Sequence, residues 1–277
     1  MKVCDLHSHS TFSDGTFTPT QLASLAEELG LSALALTDHN TSRGLDEFMN
    51  AGKNSSVETV AGCEFSTEWE KHELHIVGLF FPESTWVEIE DFVELMHIAK
   101  RNSNIILIEN LNKAGYELTY EEVAASTDAD EFNRAHVAKV LAGKGYAESV
   151  DDAFKRILRE DIGYYVPPKR LSAISAIKFI KANGAVAILA HPFLNLNYEE
   201  LEEFLPKAKE AGLDGMETLY SKFSEKEILQ AKELANRYGL KESGGSDFHG
   251  TVKPDIQLGS GRGNLKVPIE FYNNLKP

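Results

Sequence analysis

The apolar positions of the chain fall into two recurring patterns. Short segments of strand length recur at residues 3–6, 32–36, 57–65, 73–81, 185–192, 213–219 and 241–250, and most of them are rich in apolar residues, whereas the last, KESGGSDFHG, is mainly small and polar. Between several of these runs, apolar residues repeat with a helical period, as at residues 18–30, 171–184, 198–212 and 224–239. Strands joined by helical crossovers produce this alternation, so the pattern predicts an α/β fold built on parallel strands.

The alternation lapses in the middle of the chain. Residues 87–115 have a helical pattern, and the charged segments that follow contain no evident strand. We therefore expect a small helical insertion, or cap, at residues 100–165. It divides a main domain formed by residues 1–99 and 166–277.

The composition is that of a globular protein and restricts the possible partners. Apolar residues make up 42% and charged residues 26% of the chain, and no apolar run is long enough to span a bilayer. The first residues do not resemble a signal peptide, so we expect a soluble cytoplasmic protein. A formal net charge of −15 argues against binding to duplex DNA or an anionic membrane, but not against a phosphorylated ligand. Cys4 and Cys63 lie in strand-like apolar runs and are expected to be buried thiols.

Candidate metal ligands concentrate near the ends of the predicted strands. His7 and His9 follow the first run and project to the same side, because side chains alternate along an extended chain. Asp14 follows in a turn-like stretch that can bring its carboxylate back towards them. The other candidates are His39, Glu64, His75, His191, Asp247 and His249, of which His75 lies nearer to the start of its run. In a (β/α) barrel the loops at the strand ends converge, so these residues are expected to meet at one mouth.

This set of residues is too large for a single ion. Catalytic zinc commonly takes three protein ligands, so six histidines and three carboxylates predict two to three divalent ions. Mixed imidazole and carboxylate ligation favours Mn, Fe or Zn over Ca or Mg, and the sequence does not choose among the three. Asp38 is expected to orient a ligand imidazole, and Asp5 either does the same or simply ends its strand. His72 and His97 lie outside the pattern and are expected to be ordinary surface or core residues.

The same residues carry a resemblance to a known family. The segments DLHSHSTFSDG, LTDHNT, GCEFS, ELHIVG, LAHP and GGSDFHG resemble the successive motifs of the polymerase and histidinol phosphatase (PHP) superfamily over nearly the whole chain. They are most similar to its stand-alone metal-dependent phosphoesterases, the branch that includes nucleoside 3′,5′-bisphosphate phosphatases and 5′-to-3′ exoribonucleases. The resemblance implies a distorted (β/α)7 barrel of the TIM type, formed by residues 1–99 and 166–277, with a trinuclear site. Its implied ligands are His7, His9, Asp14, His39, Glu64, His75, His191, Asp247 and His249.

The resemblance extends to the helical insertion. The segment FNRAHVAKVLAGKGY matches an Arg-x-His element of this branch at Arg134 and His136, and Gly163–Pro168 matches a GYYVPP-like loop. Arg134 is expected to bind a second, non-scissile phosphate, because a guanidinium can grip phosphate through two parallel hydrogen bonds, and His136 is expected to assist it. Lys169, which follows the loop, is expected to be a solvated side chain.

Clustered divalent ions suit phosphate ester hydrolysis, because they bind phosphate oxygens and lower the pKa of a bound water. We therefore expect a hydrolase that acts on the 3′-phosphate of nucleoside 3′,5′-bisphosphates or on 5′-phosphorylated oligonucleotides. The expected catalytic residues are His39, His191 and Asp247, with His191 a candidate for protonating the leaving oxygen. Three alternatives remain open: a phosphomonoesterase of the histidinol phosphate type, a metal-stabilised binding module and a metal-dependent amidohydrolase. The sequence gives no information about the oligomeric state.

Overall fold

The computed structural model describes residues 2–127, 132–168 and 170–277. Lys169, predicted to be solvated, lies outside the described residues. The strands of the described chain are β1 (Val3–Asp5), β2 (Ala33–Leu36), β3 (Glu58–Trp69), β4 (His72–Leu79), β5 (Leu171–Ser172), β6 (Val186–Leu189), β7 (Gly215–Tyr220), β8 (Lys241–Gly245) and β9 (Val267–Pro268). Its helices are α1 (Pro19–Glu28), α2 (Leu45–Gly52), α3 (Trp86–Lys113), α4 (Tyr120–Ala124), α5 (Arg134–Gly143), α6 (Val150–Arg156), α7 (Ala173–Ala182), α8 (Tyr198–Ala211), α9 (Glu225–Arg237) and α10 (Ile269–Leu275).

Eight of these strands form a nearly closed barrel. Their order is β8-β7-β6-β4-β3-β2-β1-β9, and β5 pairs with β3 beside this row. A backbone hydrogen bond from Leu6 N–H to the Gly244 carbonyl, 3.2 Å long, joins the end of β1 to β8 and brings the row round on itself. The predicted α/β barrel is confirmed, although its strands are more numerous than the seven expected. The sequence pattern missed β5 and β9 because each has two residues, too few to show a period.

A hairpin explains the unusual position of His75 near the start of its strand. β3 and β4 are antiparallel and are joined by a turn at Glu70 and Lys71. Glu70 adopts a positive φ of 56°, as tight hairpin turns require. Because β4 runs against the parallel strands, its first half lies at the edge where those strands end. A candidate ligand near the start of β4 therefore lies close to candidate ligands near the ends of the other strands.

Both faces of the strands are buried, which accounts for their continuous apolar runs. Ala33 and Ala35 of β2 belong to an apolar cluster with residues of β1, β4, β6 and α10. The alternate residues Leu34 and Leu36 belong to a second cluster with residues of α1 and α2. Successive side chains of the strand thus pack into apolar layers on opposite faces of the sheet, as in parallel sheets covered by helices. Cys4 and Cys63 are both buried, as predicted.

The chain divides into two compact units. The first contains the chain up to Asp91 together with Leu171–Pro277, and the second contains Phe92–Arg170. The sequence placed the first boundary between residues 99 and 100, and both this position and the division after Asp91 lie within the uninterrupted helix α3. The second unit is helical and has its own apolar cluster, which includes Leu107, Phe132 and Leu141. Among the described residues, no helix combines the length and the apolar character needed to cross a membrane.

Candidate metal centre

The first unit brings the predicted ligands together at the strand ends. Eight of the nine belong to three groups in which the possible ligand atoms lie within 4.8 Å of one another. These groups are His9, Asp14, His39 and His249; His7, His9, Glu64 and Asp247; and His39, Glu64 and His75. His191 lies outside the groups, but its Nε2 is 3.0 Å from Glu64 Oε1. Any two of the groups have one residue in common, which is His9, His39 or Glu64, so the three groups form one continuous cluster.

Glu64 lies at the centre of this cluster and is fully buried. Three imidazole nitrogens lie around its Oε2, namely His7 Nε2 at 3.1 Å, His9 Nε2 at 3.2 Å and His39 Nδ1 at 3.1 Å. Its Oε1 faces His75 Nδ1 at 2.8 Å and His191 Nε2 at 3.0 Å. The five imidazoles form a closed circuit around the carboxylate, with neighbouring ring centroids 4.5–5.6 Å apart.

The residues fit a divalent metal cluster, because buried ligand atoms converge there without hydrogen bonds. Within the described part of the chain, five buried atoms that lie close to one another have no hydrogen-bond partner: His7 Nε2, both nitrogens of His9, His39 Nδ1 and Glu64 Oε2. Buried polar atoms are normally paired, since an unpaired one loses its hydration without compensation. Imidazole nitrogens and carboxylate oxygens are the donors that Mn, Fe and Zn accept. Cations among these atoms would satisfy His7 Nε2, His39 Nδ1, Glu64 Oε2 and one nitrogen of His9, since a neutral imidazole has a single lone pair to offer.

Asp14 and His249 extend the cluster towards solvent. His249 Nε2 lies 3.2 Å from Asp14 Oδ1, and 54% of the Asp14 side chain is exposed. His249 Nδ1 lies 2.8 Å from the Asp247 carbonyl oxygen, which can only accept a hydrogen bond. The hydrogen must therefore be on Nδ1, which leaves the lone pair of Nε2 facing the cluster. This arrangement is typical of metal-binding imidazoles.

The backbone φ angle is positive at two of the candidate ligands. His191 has a φ of 27° and Asp247 a φ of 57°, values that residues other than glycine rarely adopt. Asp247 N–H donates to the His7 carbonyl (2.9 Å), which holds the β8 loop against the end of β1. Such conformations persist where surrounding contacts fix them, and they concentrate at functional sites.

Asp38 and Asp5 hold backbone and loops rather than imidazoles. Asp38, predicted to orient a ligand ring, instead accepts hydrogen bonds from Ser10 N–H (2.7 Å), Ser10 Oγ (2.6 Å) and Ser13 Oγ (2.6 Å), so that prediction is wrong. It fixes the loop that leads to Asp14. Asp5 is buried and accepts from the backbone N–H groups of His7, Ser246 and Gly259. Both residues therefore support the ligands through the main chain.

Three residues at the site were not found by sequence reasoning. Glu217 of β7 is buried and contacts His7 and the His191 backbone. Tyr220 OH donates to Asp247 Oδ2 at 2.9 Å, and Lys253 Nζ lies 3.0 Å from the same oxygen. The only signal for Glu217 was a carboxylate within an otherwise apolar run, and Tyr220 and Lys253 gave none.

The charges of the cluster compensate one another without a cation. Burial by itself raises the pKa of Glu64, but neighbouring imidazoles, with His7 first and then His75 among them, outweigh it and hold that pKa well below its usual range. Burial lowers the pKa of His75, yet Glu64 and Glu73 raise it to about 10. Burial dominates at His39, whose pKa falls to about 3. The proton of His75 thus lies where a cation would bind, and metal binding would release it.

The candidate substrate residues lie in the second unit and are described within it. Arg134 Cζ lies 4.3 Å from the centroid of the Tyr165 ring, so the Arg-x-His element and the GYYVPP-like loop meet there. Asn133 N–H donates to His136 Nδ1 (3.1 Å), so the imidazole caps the start of α5. Burial, Lys139 and Lys100 lower the pKa of His136. The remaining histidines pair elsewhere: His72 contacts Glu200 and the Asn195 carbonyl, and His97 lies 3.8 Å from Glu94.

Comparison with known proteins agrees with this geometry. Residues 5–166 match the family model described as the PHP domain. The chain is 35% identical over 263 residues to the 5′-3′ exoribonuclease Rnm of Escherichia coli (strain K12), covering 93% of this chain and 88% of the relative. It is 28% identical over 254 residues to the 3′,5′-nucleoside bisphosphate phosphatase of Chromobacterium violaceum, covering 88% and 86%.

A solved structure is similar over almost its entire length. A protein of Bifidobacterium adolescentis, assigned as a metal-dependent phosphoesterase, superimposes with a TM-score of 0.74 at 28% identity, covering 99% of this chain and 95% of that one. The match extends through the barrel whose strand ends carry the cluster. These agreements confirm the resemblance read from the motifs and the prediction of a metal-dependent phosphoesterase: the chain belongs to the PHP domain family.

Proposed function

We propose that the chain hydrolyses the 3′-phosphate of nucleoside 3′,5′-bisphosphates or processes the 5′-phosphorylated ends of short oligonucleotides. The observation that carries the proposal is the convergence of buried, unpaired ligand atoms on Glu64. Relatives named as a 5′-3′ exoribonuclease and a 3′,5′-nucleoside bisphosphate phosphatase support the substrate class. We also infer a cytoplasmic location.

Two to three ions of Mn, Fe or Zn would be held by the nine ligands. The mutual proximity of their atoms, in three overlapping groups, supports more than one ion. The ligands are His7, His9, Asp14, His39, Glu64, His75, His191, Asp247 and His249. When bound, such ions polarise the phosphate oxygens, offset the charge of the transition state and lower the pKa of a water that acts as nucleophile.

We assign different roles to three of these residues. His191 lies outside the groups of closest ligand atoms, with its Nε2 on Glu64 Oε1, so we assign to it the delivery of a proton to the leaving oxygen in the state in which its ring binds no ion. The side chain of His39 is 24% exposed, so it can meet the substrate at the mouth of the site. Asp247 directs Oδ1 towards His9 (3.2 Å), while Tyr220 and Lys253 hold its Oδ2.

Arg134 is the proposed ligand of the second phosphate. Its guanidinium is stacked on Tyr165, which restricts the orientation of the planar group and reduces the entropy lost when it forms a bidentate pair with phosphate. His136, whose pKa is lowered by burial and by nearby lysines, would donate from Nε2 as a neutral ring. The proposal predicts that these residues matter for substrates with two phosphates.

The test compares phosphate release by the Mn-loaded protein from adenosine 3′,5′-bisphosphate, a 5′-phosphorylated RNA trinucleotide and histidinol phosphate. Asp247→Asn should abolish turnover, whereas Asp255→Asn, an exposed carboxylate paired with Arg262, should not. Preference for either nucleotide substrate supports the proposal. Preference for histidinol phosphate would replace it with the phosphomonoesterase alternative, and no release from any of them would leave the binding module as the better account.

A second comparison isolates the role of Arg134. Arg134→Ala should lower kcat/KM for the bisphosphate by about 10-fold or more and leave an aryl phosphate nearly unaffected, since one charge-assisted contact contributes roughly 1.5–3 kcal/mol. Arg156→Ala is the matched control, because Arg156 lies in the same unit and pairs with Asp152 on the surface. Equal losses on both substrates would remove Arg134 from substrate recognition.

A further inference from the structure

Glu217 is a buried carboxylate that the ligand set does not include. It lies in β7 and is only 1% exposed, among residues that are otherwise apolar or small. A buried carboxylate is rare unless it is paired, because removing it from water is costly. Both of its oxygens are engaged, and each contacts a residue of the candidate metal centre.

The first oxygen determines which nitrogen of His7 carries the hydrogen. Glu217 Oε1 lies 2.8 Å from His7 Nδ1, and an ionised carboxylate can only accept. The hydrogen of the neutral ring is therefore on Nδ1, and the lone pair is on Nε2. That nitrogen has no hydrogen-bond partner and lies 3.1 Å from Glu64 Oε2. The contact thus presents His7 in the form that binds a cation.

The second oxygen holds the backbone of another ligand. His191 N–H donates to Glu217 Oε2 at 2.6 Å. This residue has the φ of 27° described above, and a hydrogen bond to a charged acceptor offsets part of the cost of that conformation. One side chain therefore fixes the ring of His7 and the main chain of His191.

A β-bulge aims Glu217 at the site. In the pairing of β7 with β8, Glu217 lies opposite Ser243 and Leu219 lies opposite Gly244, so no residue of β8 lies opposite Thr218. Residues three apart in a regular strand face opposite sides, yet Glu217 and Tyr220 both reach the metal centre. The extra residue reconciles these contacts, as bulges beside functional sites commonly do.

We propose that Glu217 is a positioning residue for the metal centre, which acts on His7 and His191 at once without binding a cation itself. The inference rests on the metal site of the proposed function. Glu217→Gln tests it at constant size, because an amide has only one acceptor atom. If its oxygen faces His7, the NH₂ group opposes the His191 N–H; if it faces His191, the NH₂ group donates to His7 Nδ1 and places the ring hydrogen on Nε2.

The main experiment measures Mn²⁺ and Zn²⁺ affinity by calorimetric titration of the metal-free protein. Glu217→Gln should weaken affinity about 10- to 100-fold, the usual effect of removing a hydrogen-bond partner of a ligand. Glu242→Gln is the matched control, because Glu242 lies on the adjacent strand and accepts from Thr218 Oγ1 instead. Unchanged affinity in Glu217→Gln with normal binding by the wild type would overturn the Glu217 role alone. No binding by the wild type would overturn the metal site as well.

A second measurement needs no variant and stands even if Glu217→Gln does not fold. Nitrogen-15 NMR of the imidazoles in the wild-type protein should show the His7 hydrogen on Nδ1 in the Zn-loaded state. In Glu217→Gln, that signal should shift towards the Nε2–H form or to a mixture. A wild-type His7 with its hydrogen on Nε2 would overturn the proposal, since Glu217 would then not set the form of the ring.

Discussion

Removing the divalent ions should destabilise the barrel by a predictable amount. Four buried ligand atoms that a cation could meet have no hydrogen-bond partner among the described residues: His7 Nε2, one nitrogen of His9, His39 Nδ1 and Glu64 Oε2. Only one nitrogen of His9 is counted, because a neutral imidazole has a single lone pair. Each unpaired buried polar atom costs about 1–3 kcal/mol, and we take the lower value because water can enter the exposed side of the cluster beside Asp14. Metal removal should therefore lower the free energy of unfolding by about 4 kcal/mol, roughly a quarter to four fifths of the stability of a typical protein.

The corresponding change in melting temperature is large enough to measure easily. About 1 kcal/mol shifts the midpoint by roughly 2–4 °C in chains of 150–250 residues, so chelation should lower it by about 8–16 °C. The assay is thermal unfolding followed by circular dichroism, with saturating Mn²⁺ or with EDTA. Asp247→Asn is the control, because a variant that lacks one ligand should respond much less to the metal.

Three results would contradict this reasoning. A midpoint that does not depend on Mn²⁺ would mean that the unpaired atoms do not form a metal site. An Asp247→Asn variant with the full wild-type shift would mean that the stabilising ion binds elsewhere. A wild-type shift of only 1–2 °C would refute the magnitude, because it would imply that hydration already satisfies the ligand atoms in the metal-free protein.

Four further results are expected. Tyr220→Phe removes the O–H that donates to Asp247 Oδ2 and should weaken Mn²⁺ affinity about 10-fold in a calorimetric titration, so unchanged affinity would exclude a role for this contact. Arg134→Lys should impair bisphosphate hydrolysis nearly as much as alanine in kcat/KM, because an ammonium lacks the planar fork, and a fully active lysine variant would refute bidentate binding. Cys4 and Cys63 should resist thiol reagents at pH 8 in the native protein, since burial raises the pKa of both and brings that of Cys4 to about 12. Because the unfolded Cys4 thiol ionises near 9.0, its contribution to stability is full below that pH and should decline as pH rises towards about 12, which urea unfolding at several pH values can detect.

The sequence predicted the strands and helices whose apolar residues repeat regularly. It also indicated candidate ligands from their position near the ends of predicted strands. Runs of four or more small or apolar residues identified β2, β3, β4 and β6, and the mixed run LDGMETL identified β7, whereas the two-residue strands β5 and β9 left no pattern. His7 and His9 could be placed on one side of the chain because alternation is geometric. His75 appeared misplaced, since the antiparallel direction of β4 is a property of pairing and not of its own residues.

The residues that support the ligands were much harder to predict. Glu217 acts through contacts with residues more than 20 positions away, and its one local signal, a carboxylate within a largely apolar run, does not separate it from a glutamate on a strand edge. Asp38 was assigned to an imidazole because it precedes His39 in sequence, but its carboxylate points to Ser10 and Ser13. Neighbours in sequence share a backbone and not a direction, so hydrogen-bond partners of ligands require the three-dimensional structure.

The bulge at Thr218 makes the metal centre depend on the length of β7 as well as on its chemistry. Thr218 can be exchanged for another residue while the count of residues between Glu217 and Tyr220 stays the same. Deleting it would allow β7 and β8 to pair regularly and would turn Tyr220 or Glu217 to the opposite face of the sheet. Insertions and deletions within the six residues of β7 should therefore be tolerated far less than substitutions, even though none of the nine candidate metal ligands lies in this strand.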